Sequence, residues 1–304
     1  MEYVLQTTKL SKRYGRNEVL NAVDMQIPKG AIYGLVGRNG AGKTTLIRII
    51  CGLQAPSDGE YRLYGVSHRD RAIARSRRRM GAVVETPSIY LDMTAEDNLR
   101  QQALVLGLPS YREIPGLLRL VGLEHTGRKK VRNFSLGMKQ RLGIAVALIG
   151  GPDFIVLDEP TNGLDPQGIV EIRELILKLN RGHGITVLIS SHILSELSRL
   201  ATHYGFLEHG DFIREISAEE LEKQCRKCLR VAVSDTRVLA RVLDGMGSEY
   251  EILSQTEANL FGEIKLSTLA LALVEEGCEL ISSTEQDETL ETYFINLVGG
   301  AEHA

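Results

Sequence analysis

Residues 37–44 read Gly-Arg-Asn-Gly-Ala-Gly-Lys-Thr, after the apolar run Ala-Ile-Tyr-Gly-Leu-Val (31–36) and before an apolar helical pattern that reaches Cys51. A glycine-rich turn of the form GxxxxGK[ST] between a strand and a helix has one physical use above others. Its glycines let the backbone bend until consecutive N–H groups and the positive end of the helix point at one cluster of anionic oxygens. The segment therefore commits the chain to a strand–loop–helix unit of a parallel α/β sheet, with a nucleotide phosphate as what the loop holds. Lys43 is expected on the β- and γ-phosphates. Thr44 supplies a hydroxyl to magnesium, which keeps most of its shell for water and phosphate oxygen. The phosphate-side candidates are Gly37, Asn39, Gly40, Ala41, Gly42, Lys43, Thr44 and Thr45.

A second motif, Ile155-Val156-Leu157-Asp158-Glu159, ends a buried strand on two carboxylates, where ligands gather in open α/β sheets. Asp158 suits magnesium, directly or through water. Glu159 suits the attacking water, which it can orient toward a γ-phosphate and deprotonate or polarise. Together the two motifs specify a P-loop ATPase or GTPase.

The rest of the first two-thirds fits that core. A helix near 167–180 and the run Gly-Ile-Thr-Val-Leu-Ile-Ser (184–190) follow, and the continuous apolar character of 154–158 and 185–189 predicts strands covered on both faces. Between Pro87 and Gly150 amphipathic helices separated by Gly and Pro breaks predict a helical insertion. Beyond Ser217 the pattern predicts a small α+β appendage: strand 228–234, helix 235–246, strands 249–254 and 258–265, helix 266–276, strand 278–284 and helix 287–298. The last of these puts Leu290, Tyr293, Phe294 and Leu297 on one face, which predicts packing on its own domain.

The segment Phe134-Ser135-Leu136-Gly137-Met138, read alone, is a serine N-cap before a helix. Lying about 20 residues before the Asp158 strand, it resembles the signature of the ATP-binding cassette family, Leu-Ser-Gly-Gly-Gln, with Ser135 and Gly137 matching and Leu136 and Met138 departing. The Ser-Leu-Gly-Met form is similar to the bacitracin- and lantibiotic-resistance branch of drug-type cassettes. The resemblance covers residues 1 to about 217 in motif order. Within it Tyr14 matches the aromatic that stacks on adenine, Asn162-Gly163-Leu164-Asp165 the loop that communicates across a dimer, and His192 the switch histidine on the γ-phosphate. Glu85 stands where the family's lid loop has a glutamine that reaches magnesium or its water, and the carboxylate reads as a subfamily trait.

The fold class implied is α/β: a P-loop NTPase core of the ABC ATPase type (1–217) with a helical subdomain (about 88–150), plus a C-terminal α+β accessory domain (218–304). The resemblance implies ATP and Mg2+ as cofactors, Glu159 and His192 as catalytic groups, and Thr44, Asp158 and Glu85 on the metal. It further implies a second ATPase subunit, as a homodimer, with each nucleotide held by Lys43, Thr44 and Asp158 of one chain and by Ser135 and Gly137 of the other. With one cassette and no apolar run near the 18 or so residues of a membrane span, the transporter reading calls for a separate permease. The chain is expected in the cytoplasm, on the inner face of the membrane through that permease. Export of a drug or peptide antibiotic is the function implied. The alternative is a soluble cassette ATPase acting on nucleic acid or ribosomes, and a third reading is a nucleotide sensor that barely turns over.

Charge argues against nucleic acid as a partner. A formal net charge of -3 in 304 residues gives no global field to collect a polyanion. The local exception, His68 to Arg79 with six arginines, reads as a solvated helix face. Four cysteines are too few for a disulfide framework in a chain of this length, and Cys225-x-x-Cys228 lacks a second pair to complete a zinc site.

Overall fold

The computed structural model describes residues 2–224, 228–262, 264–286, 293, 294 and 297. It divides into two compact units, Met1–Ala218 and Glu219–Ala304.

In the first unit five strands lie parallel and side by side in the order Met80–Val83, Phe154–Asp158, Thr186–Ser191, Ile32–Val36, His203–Glu208. Every residue of the three middle strands is buried, which is why their sequences are continuous apolar runs instead of alternating ones. Register decides the chemistry. Asp158 pairs with Ser190, and Val36 pairs with Ser191, so the three strands end side by side. The segments beginning at Gly37, Glu159 and His192 therefore leave the sheet at one edge.

Antiparallel strands Tyr3–Tyr14, Asn17–Val23, Gln26–Pro28, Asp58–Leu63 and Val66–Ser67 extend the sheet. Asp211–Ser217 links the two parts, antiparallel to His203–Glu208 and parallel to Asn17–Val23. The helix Lys43–Ile50 buries Leu46, Ile47, Ile49 and Ile50 in a core shared with Leu5, Leu10, Leu20, Ile27, Phe154 and Val156. Each such side chain contributes roughly 1.5–3 kcal/mol by leaving water, so the helix that begins at the glycine loop is anchored to both parts of the sheet.

Helices Ala95–Val105, Ile114–Leu120 and Leu136–Leu148 occupy the stretch between Pro87 and Gly150. The first opens on a capping box: the Thr94 side chain accepts from the Asp97 N–H, and the Asp97 carboxylate accepts from the Thr94 N–H. Five of the six arginines in the run 68–79 are exposed, as expected of a solvated face, but the helix is short. Only Ile73–Arg77 is helical, Arg77 donates to the Tyr61 hydroxyl, and Arg79 pairs with Asp153 over the Tyr64 ring. Part of the run thus fastens the segment to neighbouring strands.

The second unit has the element order Cys228–Val233, Thr236–Met246, Glu249–Ile252, Glu257–Phe261, Leu266–Glu275, Leu280–Gln286, that is βαββαβ. Its sheet runs Glu249–Ile252, Glu257–Phe261, Cys228–Val233, Leu280–Gln286, all antiparallel, the ferredoxin-like order. Val231, Val233, Ala258 and Leu260 face Leu239, Leu243, Leu269 and Leu273 of the two helices in one core. The elements fall within a few residues of those read from the pattern. Of the expected final helix, Tyr293 and Phe294 are helical and buried, and Leu290 lies outside the described residues, as does Cys225 of the Cys-x-x-Cys pair.

Candidate active site

Strand and helix ends force the shape of the glycine loop. A Cβ on Gly37 would lie 2.4 Å from the Leu207 carbonyl oxygen, and Gly42 has φ +108° with the Val19 carbonyl oxygen 2.8 Å from any added Cβ. No side chain fits either position. The Ala41 carbonyl accepts from the Gly210 N–H at 3.1 Å, so the loop is held from behind. Lys43 is buried, and its ammonium donates to the carbonyls of Gly37 (2.7 Å) and Arg38 (3.2 Å). The resulting cleft is lined by Val19, by residues 38–45 and by Glu159.

Behind the cleft one hydroxyl ties the Asp158 carboxylate to the Glu159 backbone. Ser190 Oγ donates to Asp158 Oδ1 at 2.7 Å and accepts from the Glu159 N–H at 3.0 Å. Asp158 is 1% exposed, and its charge is felt at the end of the helix Lys43–Ile50: burial first, then Asp158, pushes the Cys51 thiol up to about 12. Glu159 takes φ +48°, a left-handed conformation that costs a non-glycine residue on the order of 1–3 kcal/mol. The turn delivers its carboxylate into the cleft. Oε1 lies 3.2 Å from Lys43 Nζ, and Oε2 lies 2.7 Å from His192 Nδ1. Three segments far apart in sequence thus meet on one carboxylate.

This arrangement suits phosphoryl transfer to water. Backbone N–H groups and Lys43 meet phosphate charge, while Glu159 and His192 stand together where a water and a γ-phosphate would be. Thr44 and Asp158 offer hard oxygens, and among the described residues no group of three or more His, Cys, Asp or Glu side chains could hold an ion. That donor set fits magnesium, which takes few protein ligands and completes its shell with phosphate and water.

Other expected residues lie elsewhere. Ser135 caps the helix Leu136–Leu148, accepting from the Met138 N–H at 3.2 Å, and with Gly137 it lines a second cleft beside Arg141, Gly163, Leu164 and Asp165. Tyr14 is exposed, bonded through its hydroxyl to Gln54, with the Lys12 ammonium 5.1 Å from its ring centre. The expected metal candidate Glu85 takes the left-handed conformation at φ +61°, and its carboxylate pairs with the Arg48 guanidinium at 2.5 Å. Sequence reasoning missed Val19 and Arg38 in the cleft lining and Ser190 behind it. Ser190 becomes visible only once strand 186–191 is known to pair with 154–158.

Comparison with known proteins agrees with this geometry. The ABC transporter family profile matches residues 20–162. The chain is 39% identical to the bacitracin transport ATP-binding protein BcrA of Enterococcus faecalis over 99% of its own length and 98% of that protein's. It is 44% identical to the lantibiotic transport ATP-binding protein SrtF of Streptococcus pyogenes over 70% of this chain and 90% of that one. Among solved structures, the ATP-binding subunit of an ABC transporter superimposes with TM-score 0.64 at 32% identity, covering 73% of this chain and 92% of that one. A dimeric ATP-binding cassette in a post-hydrolysis state with ADP and Pi gives 0.63 at 25% identity, covering 70% and 98%. With its phosphate loop, its Glu159–His192 pair and this full-length similarity, the chain belongs to the ABC transporter family, as an ATP-binding subunit that hydrolyses ATP.

Proposed function

We propose that the chain powers export of a drug or peptide antibiotic through a separate membrane permease, as one of two identical ATPase subunits that share two ATP·Mg2+ sites. Transport in this class is supported by the bacitracin and lantibiotic transport proteins to which the chain is similar. Among the described residues no helix is long and apolar enough to cross a membrane, and on this reading another chain supplies the route for the cargo. The proposed location is the cytoplasmic face of the membrane, through that permease.

One observation carries the pairing: Ser135 and Gly137 line a cleft apart from the one built by Lys43, Thr44 and Glu159. A head-to-tail second copy brings Ser135 and the N-terminus of its helix to the phosphate held by the first. Glu159 then directs water, His192 contacts the γ-phosphate, Thr44 and Asp158 hold magnesium, and Tyr14 stacks on adenine. Residues 1–217 form the ATPase domain and 218–304 an accessory domain.

Specific ATPase activity that rises with protein concentration supports the paired site, and activity independent of concentration rejects it. Recovery from detergent extracts with a polytopic membrane protein supports transport. Recovery only with ribosomes or DNA overturns it.

A further inference from the structure

The segment that carries His192 has a second grip on the loop that carries Glu159. His192 and Glu196 lie four residues apart where the strand Thr186–Ser191 gives way to the short helix Leu194–Leu197. His192 Nδ1 is 2.7 Å from Glu159 Oε2, and the Glu196 carboxylate accepts a hydrogen bond from the Thr161 hydroxyl. The two contacts flank Pro160. Thr161 is buried, so its hydroxyl would lose a full hydrogen bond without Glu196.

Beyond Thr161 the chain turns at once, with the Leu164 N–H donating to the Thr161 carbonyl at 3.1 Å. That turn lies against the start of the Ser135 helix. A Cβ on Gly163 would sit 3.3 Å from Leu136 Cδ2, and one on Gly137 would sit 3.8 Å from Leu164 Cδ2. A continuous run of contacts thus leads from His192 through Glu196, Thr161 and Leu164 to Leu136 and Gly137. It begins beside Glu159, which lines the chain's own phosphate cleft, and ends in its Ser135 cleft.

We infer that Glu196 is a positioning residue that couples the two clefts of one chain. Its bond to Thr161 makes the 161–164 turn follow any displacement of the His192 segment, so contact of His192 with phosphate in one site re-aims Leu164 and Gly137 in the other. The coupling rests on the proposed two-subunit reading, in which the second cleft meets the partner's nucleotide. Glu196 touches no substrate in this arrangement. It acts through Thr161.

The test uses the full-length protein in four forms: wild type, Thr161→Val, Glu196→Ala and Glu196→Gln, together with the Thr161→Val/Glu196→Ala double variant. Steady-state ATPase is measured against ATP concentration, nucleotide affinity by equilibrium binding, and folding by thermal melting. Two coupled sites predict a sigmoidal ATP dependence in the wild type; the expectation is a kcat about tenfold lower in Thr161→Val and Glu196→Ala, with ATP affinity within about twofold of wild type and with that sigmoidicity lost. The double variant is expected to be no worse than the poorer single, since both remove one contact. Glu196→Gln, which keeps an acceptor oxygen, restores most of the rate. Wild-type kcat and sigmoidicity in Glu196→Ala, or additive losses in the double variant, overturn the inference. So do losses that track a lowered melting temperature and are not restored by Glu196→Gln. A hyperbolic, concentration-independent wild type would instead reject the paired site itself.

Discussion

Lys43 and Glu159 form an ion pair across the phosphate cleft, with the ammonium 3.2 Å from Oε1 and both side chains largely buried. On the proposed roles, the phosphate-binding cation and the group that directs water are each other's partners here, so a γ-phosphate that takes Lys43 would free Glu159 for water in one exchange of partners.

Glu159→Gln removes the charge and keeps the shape. Turnover is expected to fall by roughly 10²–10⁴, since a general base is lost. ATP binding is expected to persist and to tighten by a few fold, because Lys43 no longer has an anion to leave. Single-turnover hydrolysis and equilibrium nucleotide binding measure both, and weakened binding would contradict the competition.

Gly37→Ala places a methyl 2.4 Å from the Leu207 carbonyl oxygen, a backbone atom that cannot swing away. A destabilisation of about 1–3 kcal/mol is expected, seen as a melting point several degrees lower, with nucleotide binding lost. A variant that melts and binds like wild type would mean that the loop is not held against the strand His203–Glu208.

Glu85→Gln separates the metal role from the ion pair. Arg48 and Glu85 are about 35% and 54% exposed, so their pair is worth under about 1 kcal/mol. The half-saturating magnesium concentration for ATPase is expected to stay within about twofold of wild type, with a small loss of stability. A large shift in magnesium dependence would instead support Glu85 as a ligand.

Cys51 is expected to resist alkylation. Burial and the Asp158 charge push its thiol up to about 12, leaving roughly one part in 10⁴ as thiolate near pH 8. Mass spectrometry after an iodoacetamide pulse should find Cys51 unmodified in the native protein and modified after denaturation. Rapid native labelling would mean that the helix Lys43–Ile50 opens away from the sheet.

Spacing alone specified the phosphate loop, the Asp158-Glu159 pair and the serine cap at 135, because each is a local requirement of backbone or strand end. Continuous apolar runs also identified the buried strands, and the order of short elements after Ser217 identified the appendage as α+β. The ferredoxin-like strand order of that unit was not legible, since pairing between strands leaves no mark at fixed spacing.

The same limit applies to the site. Nothing in the sequence aligns Val36, Asp158 and Ser191; their strands are joined only through long-range hydrogen bonds, and a shift of one residue would turn every side chain over. That register brings Lys43, Glu159 and His192 together and sets Ser190 behind both carboxylates. Glu85 shows the converse: its place in the motif order gives no sign of Arg48, whose guanidinium the fold brings to its carboxylate. The sequence by itself determined which groups are candidates for chemistry with phosphate. The tertiary structure decided which of them share a cleft, because partner choice among charges depends on distance and desolvation, which only the packed fold sets.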